Sequence, residues 1–297
     1  MMRPLQMSHV LSVLVLAAAL SQCLGVAARA APAESLSSLV ARKAAILSGM
    51  HRKARKALVT AAQDEAFADY FHDHGEHHRH AAKQRIDSIS LKVQSRFNVE
   101  EMCLIDVNGV ELSRIVGDRI AHDLSADESG AVFFRPGMAL EPRHTLVSPV
   151  YLSADADKWV VAYVTPILVG GQHGQGDAQK RALLHFEHGL DVYQEALAKG
   201  LADPNTVLLA VDEAGFVLFD SRAPIKVART GQHTTQADYF ERFELGGLNL
   251  EALRESLGGS GAASDMSGVV AADGRRYELA IARAEHWQLV AWRATEE

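Results

Sequence analysis

Near residue 98 the hydrophobic period of this chain switches from helical to extended, and that switch confines it to a mixed α+β fold. Before the switch, residues 34–97 contain no proline and are rich in Ala, Leu, Lys, Glu and Gln, which favour helix. Leu36, Leu39, Val40 and Ala44 recur at helical spacing, as do Ile86, Ile89, Val93 and Phe97. The spacing predicts two helices, about 33–70 and 77–97. The first would be long, roughly 55 Å if unbroken at ~1.5 Å per residue.

After the switch the chain reads as short strands. "EEMCLIDVNGVELSRIVG" predicts two strands joined at Asn108-Gly109, a hairpin signal. "TLVSPVYL", "KWVVAYVTPILV" and "RALLHFEHG" predict three more. In the second of these, Trp159, Val161 and Tyr163 share one face and Val160, Ala162 and Val164 the other. "GGQHGQGDAQK" reads as a hairpin loop, and "LDVYQEALAKG" as a helix stopped by Gly200. The pattern then restarts: "TVLLAVDEAGFVLFDS" is again strand, turn, strand. Asp212 and Gly215 stand 106 residues after Asp106 and Gly109. Two helices around 237–257, a hairpin over Asp273-Gly274 and a final strand "HWQLVAWRA" complete the second copy. The expected organisation is a helical stalk at 31–97 carrying two tandem modules, 98–200 and 201–297, each with an antiparallel sheet.

The N-terminus reads as an export signal over residues 1–30: Arg3, an apolar run, then an A-x-A site ending at Ala30. Uncleaved, residues 10–28 would be just long enough to anchor the chain in a membrane. Cleavage removes Arg3 and Arg29 and no acid, taking the net charge from −7 to −9. Such a charge offers no field for nucleic acid. It also leaves Cys103 as the single cysteine, which reads as a small buried hydrophobe on a strand. No Gly-x-Ser-x-Gly, phosphate loop or dinucleotide fingerprint is present, so no enzyme and no cofactor is expected.

The order of "LIDVNGVELSR", the pair Phe133-Phe134, "LVSPVYL", "VVAYVTPI", "AVDEAGFVLFDS" and "HWQLVAWRA" behind a long helix resembles the double Cache sensor family, PAS-like extracytoplasmic domains of bacterial signalling proteins. The resemblance covers residues 31–297. It implies a periplasmic protein, dimeric through its long helix, that binds a small molecule in the first, membrane-distal module. The chain ends at Glu297 directly after the last strand, so the resemblance implies that a membrane-bound signalling partner reads the signal. Candidate ligand-binding residues are Phe134, Arg135, Tyr151, Trp159 and Tyr163: aromatics for area, an arginine for an anionic group. The family's amino-acid-binding members carry a tyrosine-x-x-arginine-x-tryptophan-tyrosine pattern. The matching positions here are Glu128, Ala131, Phe133 and Phe134, without the arginine. Arg135 would share a face with Ala131 if this stretch were a strand. Arg114 reads as the partner of Glu111 in an ion pair.

One stretch stands apart. "YFHDHGEHHRH" holds five histidines in nine residues, His72 to His80. His72, His74, His77 and His78 are candidate ligands for zinc, copper or nickel. The alternatives are a pH sensor, since near pH 6 five imidazoles would gain charge and repel one another, and a solvated turn between the two N-terminal helices. Two further readings of the whole chain therefore stand beside the sensor: a periplasmic metal-binding protein centred on this cluster, and a ligand-free interaction scaffold.

Overall fold

Asp64 ends the first helix early. The structure, a computed structural model, describes residues 34–72, 75–170, 178–201, 203–223, 235–258 and 266–295. The expected export segment and His74 lie outside these residues. Helix α1 spans Leu36–Ala62, followed by α2 (Glu65–Phe71) and α3 (Glu76–Phe97). The single helix expected to residue 70 is broken because Asp64 takes extended angles and its carboxylate accepts the amide of Ala66 at 2.9 Å. An aspartate gains more as an N-cap than inside a helix.

Helix α1 buries Leu36, Leu39, Val40, Leu47, Ala54 and Leu58 along one stripe. That stripe also buries Lys43, whose ammonium donates to the carbonyls of Leu197 and Lys199 at 2.6 Å each. The lysine thus closes the C-terminal end of α5 (Leu190–Ala198), where helix carbonyls lack partners.

Two antiparallel sheets follow. The first holds β1 (Glu101–Asp106), β2 (Glu111–Val116), β3 (Arg119–Ile120), β4 (Leu146–Val147), β5 (Tyr151–Ser153), β6 (Lys158–Val169) and β7 (Gln179–Gly189). Its order is β3-β2-β1-β7-β6-β4, with β5 also on β6. The second holds β8 (Val207–Asp212), β9 (Val217–Asp220), β10 (Met266–Ala272), β11 (Arg275–Ala284) and β12 (Trp287–Ala294) in the order β10-β11-β12-β8-β9.

The sheets are built alike. In each, the first strand lies between its hairpin partner and the last strand. Each first strand carries an irregularity, between Leu104 and Ile105 and between Ala210 and Val211, again 106 residues apart. Each hairpin turn is tied the same way. The Asp106 carboxylate accepts the amide of Val110 at 2.9 Å, and that of Asp212 accepts Phe216 at 2.8 Å. The amides of Gly109 and Gly215 each bond the aspartate carbonyl at 3.1 Å.

One apolar core joins α1 to both sheets: Leu47 and Leu58 pack with Met102, Tyr163 and Phe186 of the first and with Ala210, Ala282 and Leu289 of the second. Elsewhere the structure departs from expectation. Helices near 237–257 shrink to α6 (Gln236–Tyr239) and α7 (Leu250–Ser256), because Gly246 and Gly247 between them take positive φ. No helix among the described residues is long and apolar enough to cross a membrane.

Candidate functional site

Alternation along a strand sends neighbouring side chains to opposite faces. On β1, Met102 and Leu104 face α1; Glu101, Cys103 and Ile105 face away. On β7, Leu184 and Phe186 face α1, whereas Leu183, His185 and Glu187 face away. The segment between β3 and β6 folds over this second face. It contains a turn of helix, α4 (Phe134–Ala139). Between them lies a cavity of about 670 Å³. Phe133, Ile105, Tyr151 and Trp159 give it apolar walls, and Phe133 stacks on His185 with ring centroids 4.2 Å apart.

The floor is acidic and buried. Glu101, Glu111 and Glu187 are each at most 4 % exposed, as is His185. Glu128 and Asp155 also line the cavity. Arg114, directly opposite Cys103 on β2, is the nearby cation, and it is engaged. It lies 2.9 Å from both Asp123 and Asp155, and 3.7 Å from the expected partner Glu111. Glu111 further accepts the amide of Ser125 at 2.6 Å.

Such crowding decides where protons sit. Burial, reinforced by the charge of Glu187, raises Glu101 to about 9. Burial also pushes Glu187 upward, but His185 and the Tyr151 hydroxyl, which donates to it, outweigh that and hold it ionised. Two buried carboxyls this close resist ionising together, so the pair holds back a proton that either acid alone would lose. Several polar atoms here are buried without a hydrogen-bond partner among the described residues: both ring nitrogens of His185, Oε2 of Glu187 and Nε1 of Trp159. His185 Nε2 stands 3.5 Å from Glu187 Oε1, which is an ionic contact at most.

Of the five residues expected from the sequence, Tyr151 and Trp159 line the cavity. Trp159 also packs on Tyr239 and Phe240 at 5.2 and 4.8 Å. Phe134, Arg135 and Tyr163 do not line it. Residues 134–139 are helical rather than extended, which turns Phe134 into a core beside Leu183 and leaves Arg135 exposed. Tyr163 sits on the α1 face of β6, where its hydroxyl meets His51 Nδ1 at 2.6 Å and Tyr193 at 2.7 Å.

Glu128, Ala131 and Phe133, matched above to the amino-acid pattern, all line the cavity, with alanine where an arginine would stand. The acids of the floor went unread in the sequence. Their signal is there, as Glu101 beside the apolar run Met102–Ile105 and as Glu187 alternating with His185 after Ala182–Leu184.

The histidine run is exposed at His72, His77 and His78. His77 and His78 are consecutive helical positions, so their side chains diverge, with rings 6.0 Å apart and edge-on. Among the described residues, the three-donor grouping compact enough for a metal is Glu101, Cys103 and Glu111 instead.

No protein-family model matches the sequence, nor does any curated protein. Solved structures do match the fold. The sensory domain of the Campylobacter jejuni chemoreceptor Tlp3 with isoleucine bound aligns over 88 % of this chain and 91 % of its own, at 12 % identity and a TM-score of 0.62. The ligand-binding domain of the Pseudomonas fluorescens chemoreceptor CtaA, in complex with L-isoleucine, aligns over 88 % and 91 % at 14 % identity and a TM-score of 0.52. An extracellular ligand-binding receptor from Desulfohalobium retbaense aligns over 87 % of this chain and 40 % of its own, at 11 % identity and a TM-score of 0.54. The likeness is one of fold. The chain shares the fold of these domains, with the α+β architecture that the sequence led us to expect.

Proposed function

We propose that this protein is a periplasmic sensor that binds a small molecule in the cavity of its first sheet and passes the bound state to a membrane partner. One observation carries the reading: a cavity of about 670 Å³ with apolar walls and a few buried, unpartnered polar groups, the composition of a ligand pocket. The shared fold of chemoreceptor sensory domains supports it. The mechanism is binding without bond-making.

The pocket chemistry narrows the ligand. Arg135 is exposed outside the cavity, Ala131 holds no charge, and Arg114 is engaged by aspartates. A ligand held by its carboxylate fits this wall poorly. A neutral or cationic molecule fits the acid surplus and the aromatic rings.

A route outward follows from strand alternation. Glu187 faces the cavity, while its neighbour His188 faces α1 and meets the Tyr193 hydroxyl at 3.0 Å. A shift of β7 on binding would reach α1 through Tyr193, Tyr163 and His51. The ligand can bias that arrangement by no more than its difference in affinity for the two states.

Under the same reading residues 1–30 are a signal peptide or residues 10–28 an inner-membrane anchor, residues 98–200 form the membrane-distal module, and two copies pair through α1. Thermal-shift screening of the purified protein against metabolites is the test. A true ligand at 100 times its dissociation constant adds about 2.7 kcal/mol. The absence of any stabilising compound in a screen weighted to amines and neutral metabolites would sink the sensor reading. Sedimentation of the same sample reports on pairing.

A further inference from the structure

We propose that the floor of the cavity is a transition-metal site in which Glu101, Cys103, Glu111 and His185 bind a divalent, thiophilic ion such as zinc or cobalt. The donor atoms of Glu101, Cys103 and Glu111 all lie within 4.8 Å of one another, and the three residues are at most 4 % exposed. The Cys103 thiol donates to Glu101 Oε1 at 2.9 Å.

The second, independent observation is His185. It is directly opposite Cys103 across β1 and β7, it is 3 % exposed, and neither of its ring nitrogens has a hydrogen-bond partner among the described residues. Directly paired residues on one face of two strands have Cβ atoms about 5 Å apart. A buried imidazole whose only polar contact is Glu187 Oε1 at 3.5 Å, with no hydrogen bond among the described residues, is a costly arrangement that a bound ion would relieve.

The donor set fits. One sulfur, one imidazole and two carboxylates suit zinc or cobalt, with bonds of about 2.0–2.3 Å and tetrahedral donor separations near 3.5 Å. For Glu101, Cys103 and Glu111 the present 4.8 Å limit asks for closure of about 1 Å, within the reach of side-chain rotation; the ring nitrogens of His185 lie outside that grouping, and its imidazole must turn toward the thiol to join it. Charge agrees as well. Glu111 and the Glu101–Glu187 pair carry more negative charge than Arg114, already met by Asp123 and Asp155, can balance. On binding, the ion displaces the Cys103 thiol proton, with any proton the neighbouring carboxyls hold, and these leave for solvent. The site lies at the bottom of the cavity and leaves the rest of that space open. It therefore adds a ligand class to the sensor reading and does not require an organic ligand to exist.

Cobalt is the probe, because a thiolate bound to cobalt(II) gives a near-ultraviolet charge-transfer band that carboxylate and imidazole do not. The full chain carrying Cys23→Ser, reduced and freed of metal, is titrated with cobalt(II). The expected result is one equivalent bound with that band. Cys103→Ser should abolish the band. Glu111→Gln and His185→Ala should each weaken binding by tenfold or more, and the His77→Ala/His78→Ala double variant should leave the band intact. No band at saturating cobalt in the Cys23→Ser protein overturns the site, as does binding abolished by the His77/His78 double variant alone. Should Cys103→Ser fail to fold, Glu111→Gln decides by the same criterion. A metabolite that stabilises the metal-free protein in chelating buffer keeps the sensor reading whatever cobalt does.

Discussion

Tyr163 shows how one side chain ties the first sheet to α1. It has no exposed surface, and its hydroxyl is shared between His51 of α1 and Tyr193 of α5. His188 continues the chain, 3.0 Å from Tyr193 and 3.0 Å from the carbonyl of Phe97. Tyr163→Phe keeps the ring and removes only the hydroxyl, leaving two buried groups short of a partner. Denaturant titration should show a loss of about 1–3 kcal/mol; a change under 0.5 kcal/mol would mean that water replaces the bond at no cost.

The histidines of this chain also make an acid-sensitive element. Burial lowers His51 to about 4, against a raising influence from Glu285 and lowering ones from Arg55, His188 and His286. Burial lowers His188 to about 4 as well, although the Phe97 carbonyl and Asp191 pull it upward. Both folded values lie below the ordinary 6.5, so the unfolded chain binds more protons between pH 6.5 and 4. The stability they contribute is complete above 6.5 and is lost as pH falls through that window. Glu101, with its raised value, acts in the opposite sense, so the comparison is best made between proteins. His188→Gln should be less stable than wild type at pH 7, and the gap should narrow towards pH 4.5. A gap independent of pH would refute the neutral buried histidine.

At the scale of elements, the two hairpins are the clearest units. Gly109 takes φ +92°, and an added Cβ would stand 2.8 Å from the backbone nitrogen of Ser129. Gly109→Ala should therefore cost more than about 1 kcal/mol, from the backbone angle and the clash together. Asp106 and Asp212 hold equivalent turns through the same i to i+4 amide bond. Asp106→Ala and Asp212→Ala should each lower stability by about 0.5–2 kcal/mol, the range for lost capping bonds. Equal sensitivity at both would show that the two turns are one device used twice; indifference at either would show that its strand pairing alone holds the hairpin. Helix α1 depends on a different kind of contact. Its stripe buries an ammonium among leucines, which is tolerable only because the end of α5 supplies carbonyls.

Across the whole molecule the main question is whether the two sheets unfold together. A single core runs from sheet to sheet through α1, with Leu58 fully buried in it, and Arg55 of α1 grips Glu285, in the turn between β11 and β12, by two bonds of 2.9 and 2.7 Å. Leu58→Ala should cost about 2–5 kcal/mol and shift one calorimetric transition as a whole. Two separating transitions would mean that the sheets are independent bodies sharing a helix.

The α+β character, the hairpins at Asn108-Gly109 and Asp273-Gly274 and the doubled pattern were all legible in the chain itself. Hydrophobic period and turn chemistry are local, and a stretch of a dozen residues contains them. The break at Asp64 was within reach of the same reading, since an N-cap signal stands there. The cavity floor was not. Glu101, Cys103 and Glu111 stand at least 74 residues before His185 and Glu187 and look ordinary one by one; pairing of β1 with both β2 and β7 places the two groups on a single face. Tyr163 was assigned to the pocket and lies on the opposite face, because alternation tells which residues share a side but not which side meets α1. That choice belongs to packing. The face opposed to α1 had to be the apolar one, and the charged remainder was left to line the space on the other side.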